Sequence, residues 1–194
     1  INGYNLTAET LNNAGNLQLK GTETLTITTK DTDSGTITYD GTATGLAYGN
    51  TYYNLAINSP SGTMTLSADL DINGSLTIAD GTLNTGNNDM SVAGSWTNSG
   101  SFISGTGKVT FDGTSDIVTG GTGDSNDFYD VTLGGTSASQ SINAIAIDND
   151  FEITSSGTWY TNCLGMTVTG NTTTGSGSIA TPLSPTVTFS PANS

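Results

Sequence analysis

The chain has no histidine, no arginine and one cysteine, Cys163, in 194 residues. Without histidine, Ser-His-Asp and Cys-His nucleophile systems and most zinc sites are excluded. A lone thiol cannot form an internal disulfide. Positive charge is nearly missing as well: Lys20, Lys30 and Lys108 stand against 17 acidic residues, for a net charge of −14. Binding a phosphate backbone needs clustered cations, so nucleic acid is not an expected partner, and anionic membrane surfaces are disfavoured for the same reason. No apolar run is long enough to insert in a membrane as a helix, and neither an initiator methionine nor a signal peptide is present. Residue 1 opens inside a repeat, which reads as a processed or excised piece of a longer exported protein.

A 3.6-residue apolar period is missing too, and β-branched residues and turn formers dominate, which excludes helix as the main element. Hydrophobic residues make up only 33% of the chain, with 26 glycines. Such composition leans towards disorder, but the apolar residues that are there keep a strict order. From Leu70 to Phe111 they fall two apart in short bursts: Leu70 and Ile72, Leu76 and Ile78, Met90 and Val92, Val109 and Phe111. That is a strand period interrupted by turns of Asn, Asp, Gly, Ser and Thr. Bursts recur after about six to nine residues, too soon for intervening helices or full antiparallel hairpins.

The stretch returns downstream. Tyr53 and Tyr129, Gly81 and Gly157, Leu83 and Trp159, Met90 and Met166, Val92 and Val168, and Gly94 and Gly170 are each 76 residues apart. GTITYDG from Gly35 matches GKVTFDG from Gly107. Periodic matches of this kind mark a repeat array, with copies over residues 1–34 (partial), 35–106 and 107–194 of a single elongated unit, 1–194. The Gly-rich connections Gly41–Thr51 and Gly113–Asp127 read as corresponding excursions from the regular body. Cys163 falls opposite Asn87 at the same offset, which places it at a turn.

An apolar pair every six to nine residues without helices fits a parallel β-solenoid, with short strands around a narrow core and corners filled by Gly and Asn. Rungs of about 20 residues would give roughly nine or ten rungs and a rod of about 45 Å. Tandem antiparallel β-sandwiches are the competing all-β fold.

The segment LDINGSLTIADGTLNTGNNDMSVAGSWTNSGSF, followed by GTGKVTFDGT and FYDVTL, resembles the β-strand repeats of very large bacterial and archaeal extracellular proteins. It is loosely similar to filamentous-haemagglutinin-type and autotransporter-adhesin solenoids. That resemblance implies a right-handed parallel β-helix in a surface-exposed or filamentous protein at an extracellular or cell-surface location. It carries over no ligand and no functional residue.

Residues that could carry chemistry are few. Carboxylate pairs such as Asp148 with Asp150 and Asp124 with Asp127 read as turn residues bonding their own backbone, and catalysis is not expected. Asp31 and Asp33 in DTDSG form a fragment of a calcium loop without its later bidentate Glu, so calcium is the one cofactor with a candidate site. Tyr52, Tyr53 and Tyr129 are the candidates for stacking on a glycan. Trp96 and Trp159 exchange with aliphatic residues between copies and read as packing residues. The Thr-rich rows Thr24–Thr29 and Thr167–Thr174 could form outward hydroxyl ladders, though Thr is also simply a good strand residue. Asn5, Asn73 and Asn171 begin N-x-Ser/Thr sequons. The expected function is therefore structural: a stiff, non-enzymatic segment of an adhesin, stalk or filament that associates end to end or with flanking repeats. A carbohydrate-binding adhesin module is the alternative.

Overall fold

The computed structural model describes residues 1, 3–42, 44–113, 116–118, 126–135, 138–141, 144–154, 158–160, 165–180 and 187–189. Cys163, Gly157 and Asp124 lie outside them. All regular structure among the described residues is β-strand, and every ladder pairing is parallel. That removes the antiparallel sandwich. The chain is a β-solenoid of about seven turns.

Three walls enclose the core. The first stacks seven strands: Thr51–Tyr52, Leu70–Ile72, Met90–Val92, Lys108–Phe111, Asp130–Leu133, Phe151–Ile153 and Thr172–Thr174. The second is one continuous sheet from Asn16–Leu19 to Ser178–Ala180, nine strands along its main path. A third wall is made by the later halves of the long strands Asn54–Thr65 and Leu76–Asn84, then by Ser101–Ile103. Farther along it becomes a separate sheet of Ile145–Ile147, Met166–Val168 and Val187–Phe189. Seven coils thus carry both a first-wall and a second-wall strand. Before them, Leu6–Leu11 pairs with Leu25–Lys30 in a two-stranded sheet of its own.

Alternation explains the walls. Most of the three-residue strands bury their first and third residues and turn the second outward, as in Leu70-Asp71-Ile72 and Met90-Ser91-Val92. Stacking then puts like on like: Leu70 lies over Met90, Ile72 over Val92, and Leu76 over Trp96. Burying a side chain of this size is worth about 1.5–3 kcal/mol, so one inward pair per wall per coil sustains a narrow core. Its centre is aromatic. The Trp96 ring meets Phe102 at 4.8 Å and Phe128 at 5.2 Å, edge to face in both cases, and Trp159 meets Phe151 at 5.4 Å. Both tryptophans are buried, in line with the packing role read from the sequence.

Register also shows what the 76-residue likeness means. Hydrogen-bonded partners lie about 20 residues apart, as with Leu76 and Trp96 or Leu70 and Met90. Residues 76 apart therefore fall between coils. Met90 is on the first wall and Met166 on the third; Thr36–Tyr39 is on the second wall, and its match, Lys108–Phe111, is on the first. The matches relate a strand-and-corner motif shared by all three walls rather than stacked positions.

At the corners the backbone turns sharply. Gly81 has φ of +84°, and a Cβ there would lie 2.2 Å from the Ser59 carbonyl oxygen of the coil before. Only glycine allows coils to stack that closely.

Candidate functional site

The polar residues cluster at corners, and the structure shows what holds them. Ahead of the first wall, the same corner position carries Asp69, Asp89, Lys108, Asp130, Asp150 and Asn171 in successive coils. Asp69 Oδ1 accepts the amide of Asp89 at 3.0 Å, and Asp89 Oδ1 accepts that of Lys108 at 2.8 Å. Beyond the lysine the pattern resumes: Asp130 Oδ1 accepts the Asp150 amide at 2.9 Å, and Asp150 Oδ1 accepts the Asn171 amide at 2.8 Å. Each carboxylate ties its coil to the next, as a charged acceptor on a backbone N–H. Much of the chain's acidity thus has a structural place.

Asp31 is the densest of these nodes. Its Oδ2 accepts the Asn13 amide at 2.6 Å and the Ser34 hydroxyl at 2.8 Å; its Oδ1 accepts the amides of Asp33 and Ser34 at 3.2 and 3.1 Å. The Asn13 amide, then the Ser34 hydroxyl and the Asp33 amide, hold its carboxyl well below the ordinary range. Asp33 is pushed upward by its contact with the Asp31 carboxyl and by that group's charge. Both oxygens of Asp31 are thus engaged within the protein, and a calcium ion would have to displace those donors. Among the described residues no group of three or more His, Cys, Asp or Glu side chains converges as a metal site.

Glu23 does the same at the next corner. It is 5% exposed, and its carboxylate accepts the amides of Gly3, Lys20 and Gly21 at 2.9, 2.7 and 2.7 Å. Burial works against its charge, but those amides outweigh it and hold the group below its ordinary value. Sequence reading passed over Glu23; its signal was a lone acid in a run otherwise made of Thr and Leu.

The three tyrosine candidates do not form a site. Tyr52 has no exposed surface and cannot present its ring to a sugar, which corrects the expectation from sequence. Its position on the first wall, stacked over Ile72, points it inward. There it joins Tyr39 and Tyr48. The Tyr39 hydroxyl accepts the Tyr48 amide at 2.8 Å, the Tyr52 hydroxyl donates to Gly49 O at 2.8 Å, and Tyr48 donates to Asp31 O at 2.8 Å. Lys30 Nζ donates to Tyr48 O and lies 5.4 Å from the centre of its ring. The Gly41–Thr51 excursion is therefore pinned into the core by its own tyrosine. Tyr53 is 37% exposed, and Tyr129 is half-buried four first-wall strands away at a different corner. No sugar ring would touch both.

The other outward features are also separated. Thr24–Thr29 faces only one partner strand, and Thr167–Thr174 divides between the third and first walls. Neither makes a hydroxyl ladder over several coils. All three sequon asparagines are exposed, with side-chain amides bonded across coils: Asn5 Oδ1 accepts the Thr24 amide, Asn73 Nδ2 donates to Thr32 O, and Asn171 Nδ2 donates to Asp150. One open concavity, about 360 Å³, lies on the outer face of the first wall, bordered by Asp69, Asp71, Asp89, Ser91, Lys108 and Thr110. No helix among the described residues is long and apolar enough to cross a membrane. No family model matches the chain, and no match is found among curated proteins or solved structures.

Proposed function

We propose that the chain is a non-enzymatic structural segment of a cell-surface adhesin, stalk or extracellular filament. The supporting observation is the continuity of its cross-coil bonding. The second wall runs as one sheet from Asn16 to Ala180, and corner carboxylates from Glu23 to Asp150 are bonded to the backbone of adjoining segments. Polar side chains engaged in this way stiffen a rod, and its terminal strands can pair with a further segment. Negative-stain electron microscopy over a concentration series tests the reading. Rods that join into longer filaments are expected; compact particles that never associate would sink it.

A carbohydrate-binding module is the second reading, and the first-wall groove is what favours it. Its carboxylates, hydroxyls and single ammonium can bond a polyol, whereas the tyrosines expected for that task are buried or apart. Glycan-array binding that is lost in Asp71→Ala and Lys108→Ala, without loss of thermal stability, would support this reading over the structural one.

A further inference from the structure

A backbone can rearrange where an Asp or Asn is followed by a residue whose main-chain nitrogen reaches the side-chain carbon, and glycine, without a Cβ, obstructs that approach least. The chain holds five such pairs: Asn2–Gly3, Asp40–Gly41, Asn73–Gly74, Asp80–Gly81 and Asp112–Gly113. Asn–Gly is chemically the faster kind, because an amide releases ammonia more readily than a carboxyl group releases water. The fold opposes that order. Gly74 N donates to Tyr53 O of the preceding coil at 2.8 Å, and Asn73 Nδ2 donates to Thr32 O at 3.1 Å. Gly3 N donates to Glu23 Oε1 at 2.9 Å. Both glycine nitrogens are thus committed elsewhere. Asp80 is placed differently, exposed at the corner where Leu76–Asn84 passes from the second wall to the third. The Gly81 N–H donates to Asp80 Oδ1 at 2.7 Å, the one bond among the described residues from an amide to the side chain immediately before it. Gly81 also has no register partner in either adjoining coil. The pairing passes from Asp80 opposite Asn58 to Thr82 opposite Thr63 on one side, and from Ile78 opposite Asn98 to Thr82 opposite Ser101 on the other.

We propose that Asp80–Gly81 is a modification site at which the folded chain isomerises its own backbone, with water as the only co-reactant. Gly81 N attacks Asp80 Cγ in the protonated carboxyl group. The N–Cγ bond forms as the Cγ–OH bond breaks, the hydroxyl leaves with the amide proton as water, and a five-membered succinimide results. Water then adds to either ring carbonyl. One opening restores aspartate; the other leaves isoaspartate, in which the main chain runs through Cβ and Cγ. Proximity favours the first step, since the nitrogen is held beside the carbon it attacks. The product does not fit the corner it forms in. A Cβ on Gly81 would lie 2.2 Å from Ser59 O, and one on Gly100 would lie 2.5 Å from Gly81 O, so coils press on this turn from both sides. One more main-chain atom there has to part the adjoining coils.

Ageing of the full chain, folded and in urea, followed by peptide mapping with isoaspartate-specific methylation, tests this. In mildly acidic buffer, where carboxyl groups are partly protonated, the unmutated chain should gain isoaspartate at Asp80 at least as fast folded as unfolded. The decisive variant is Asp80→Asn, which puts the same Asn–Gly pair at positions 73 and 80. In the folded variant position 80 should deamidate at least about tenfold faster than position 73, where two cross-coil hydrogen bonds must open first. In urea the two positions should react alike. Asp80→Glu would need a larger ring, so it should gain no isomer at this position while keeping the far-ultraviolet spectrum. Equal deamidation at 73 and 80 in the folded Asp80→Asn chain, or isoaspartate at Asp80 that forms only in urea, would overturn the proposal.

Discussion

The hydroxyls of Tyr39 and Tyr52 lie 3.1 Å apart inside the solenoid, on the second and first walls. Both rings have no exposed surface, and Tyr39 also accepts the backbone amide of Tyr48. Replacing Tyr39 by Phe leaves that amide buried without an acceptor, which costs about 1–3 kcal/mol. Tyr39→Phe should therefore lower the melting temperature measurably. Tyr53→Phe, at an exposed corner, should leave it unchanged. Equal effects in the two variants would mean that the hydroxyl cluster does not hold the excursion.

The same cluster sets an alkaline limit. Burial first, opposed by its bonds to Tyr52 and Tyr48, pushes the Tyr39 phenol up to about 12, and burial with the nearby Tyr39 raises Tyr52 as well. A group whose folded value is raised contributes stability that is intact below its unfolded value, near 10 for a phenol, and is lost as pH climbs through the folded value. Chemical denaturation followed by circular dichroism should thus show stability falling between about pH 10 and 12, by about 3 kcal/mol from Tyr39 alone. In Tyr39→Phe the fall should shrink by about that amount, the remainder coming from Tyr52, whose phenol is also raised.

At the acid side the sign reverses. Asp31 is held low by the Asn13 amide, the Ser34 hydroxyl and the Asp33 amide, and Glu23 is held low by the amides around it despite its burial. Lowered carboxylates contribute stability that is complete above their unfolded values, near 4, and is lost as pH falls through the folded ones. Hydrogen exchange should show the N-terminal coils loosening below about pH 4 while the aromatic centre stays protected. Asp31→Asn should loosen the same coils at neutral pH. Added calcium should not shift the melting temperature of the unmutated chain, since both Asp31 oxygens are already engaged; a calcium-dependent rise would reinstate the cation site.

Alternation made the inward residues legible before any coordinates. Leu70, Ile72, Leu76, Ile78, Met90, Val92, Val109 and Phe111 all lie in the core. Which wall each strand belongs to was not legible, because all three walls use one inward code and the same Gly, Asn and Asp corners. Tyr52 shows the consequence. Its aromatic ring suggested stacking on a glycan, but the 20-residue register that it shares with Ile72 and Val92 marks it as inward. Asp150 was read as a turn residue bonding its own backbone. It instead accepts the Asn171 amide of the next coil, as Asp69, Asp89 and Asp130 do from theirs, a relation between residues about 20 apart that local spacing cannot show.

Asp89 stands in the middle of the first-wall corner column, accepting from Lys108 and donating its own amide to Asp69. An Asn at this position keeps an acceptor oxygen, whereas Ala keeps none. Loss of a side-chain acceptor on an otherwise unbonded backbone N–H costs about 1 kcal/mol, as at a helix N-cap. Asp89→Ala should therefore destabilise by about that amount, and Asp89→Asn by clearly less, in urea titrations with unchanged m-values. If the column acted only through charge, Asn and Ala would be alike. Both would then be stabilising, because each relieves repulsion in a chain of charge −14. The order of the two variants separates a ladder of acceptors from a row of repelling charges.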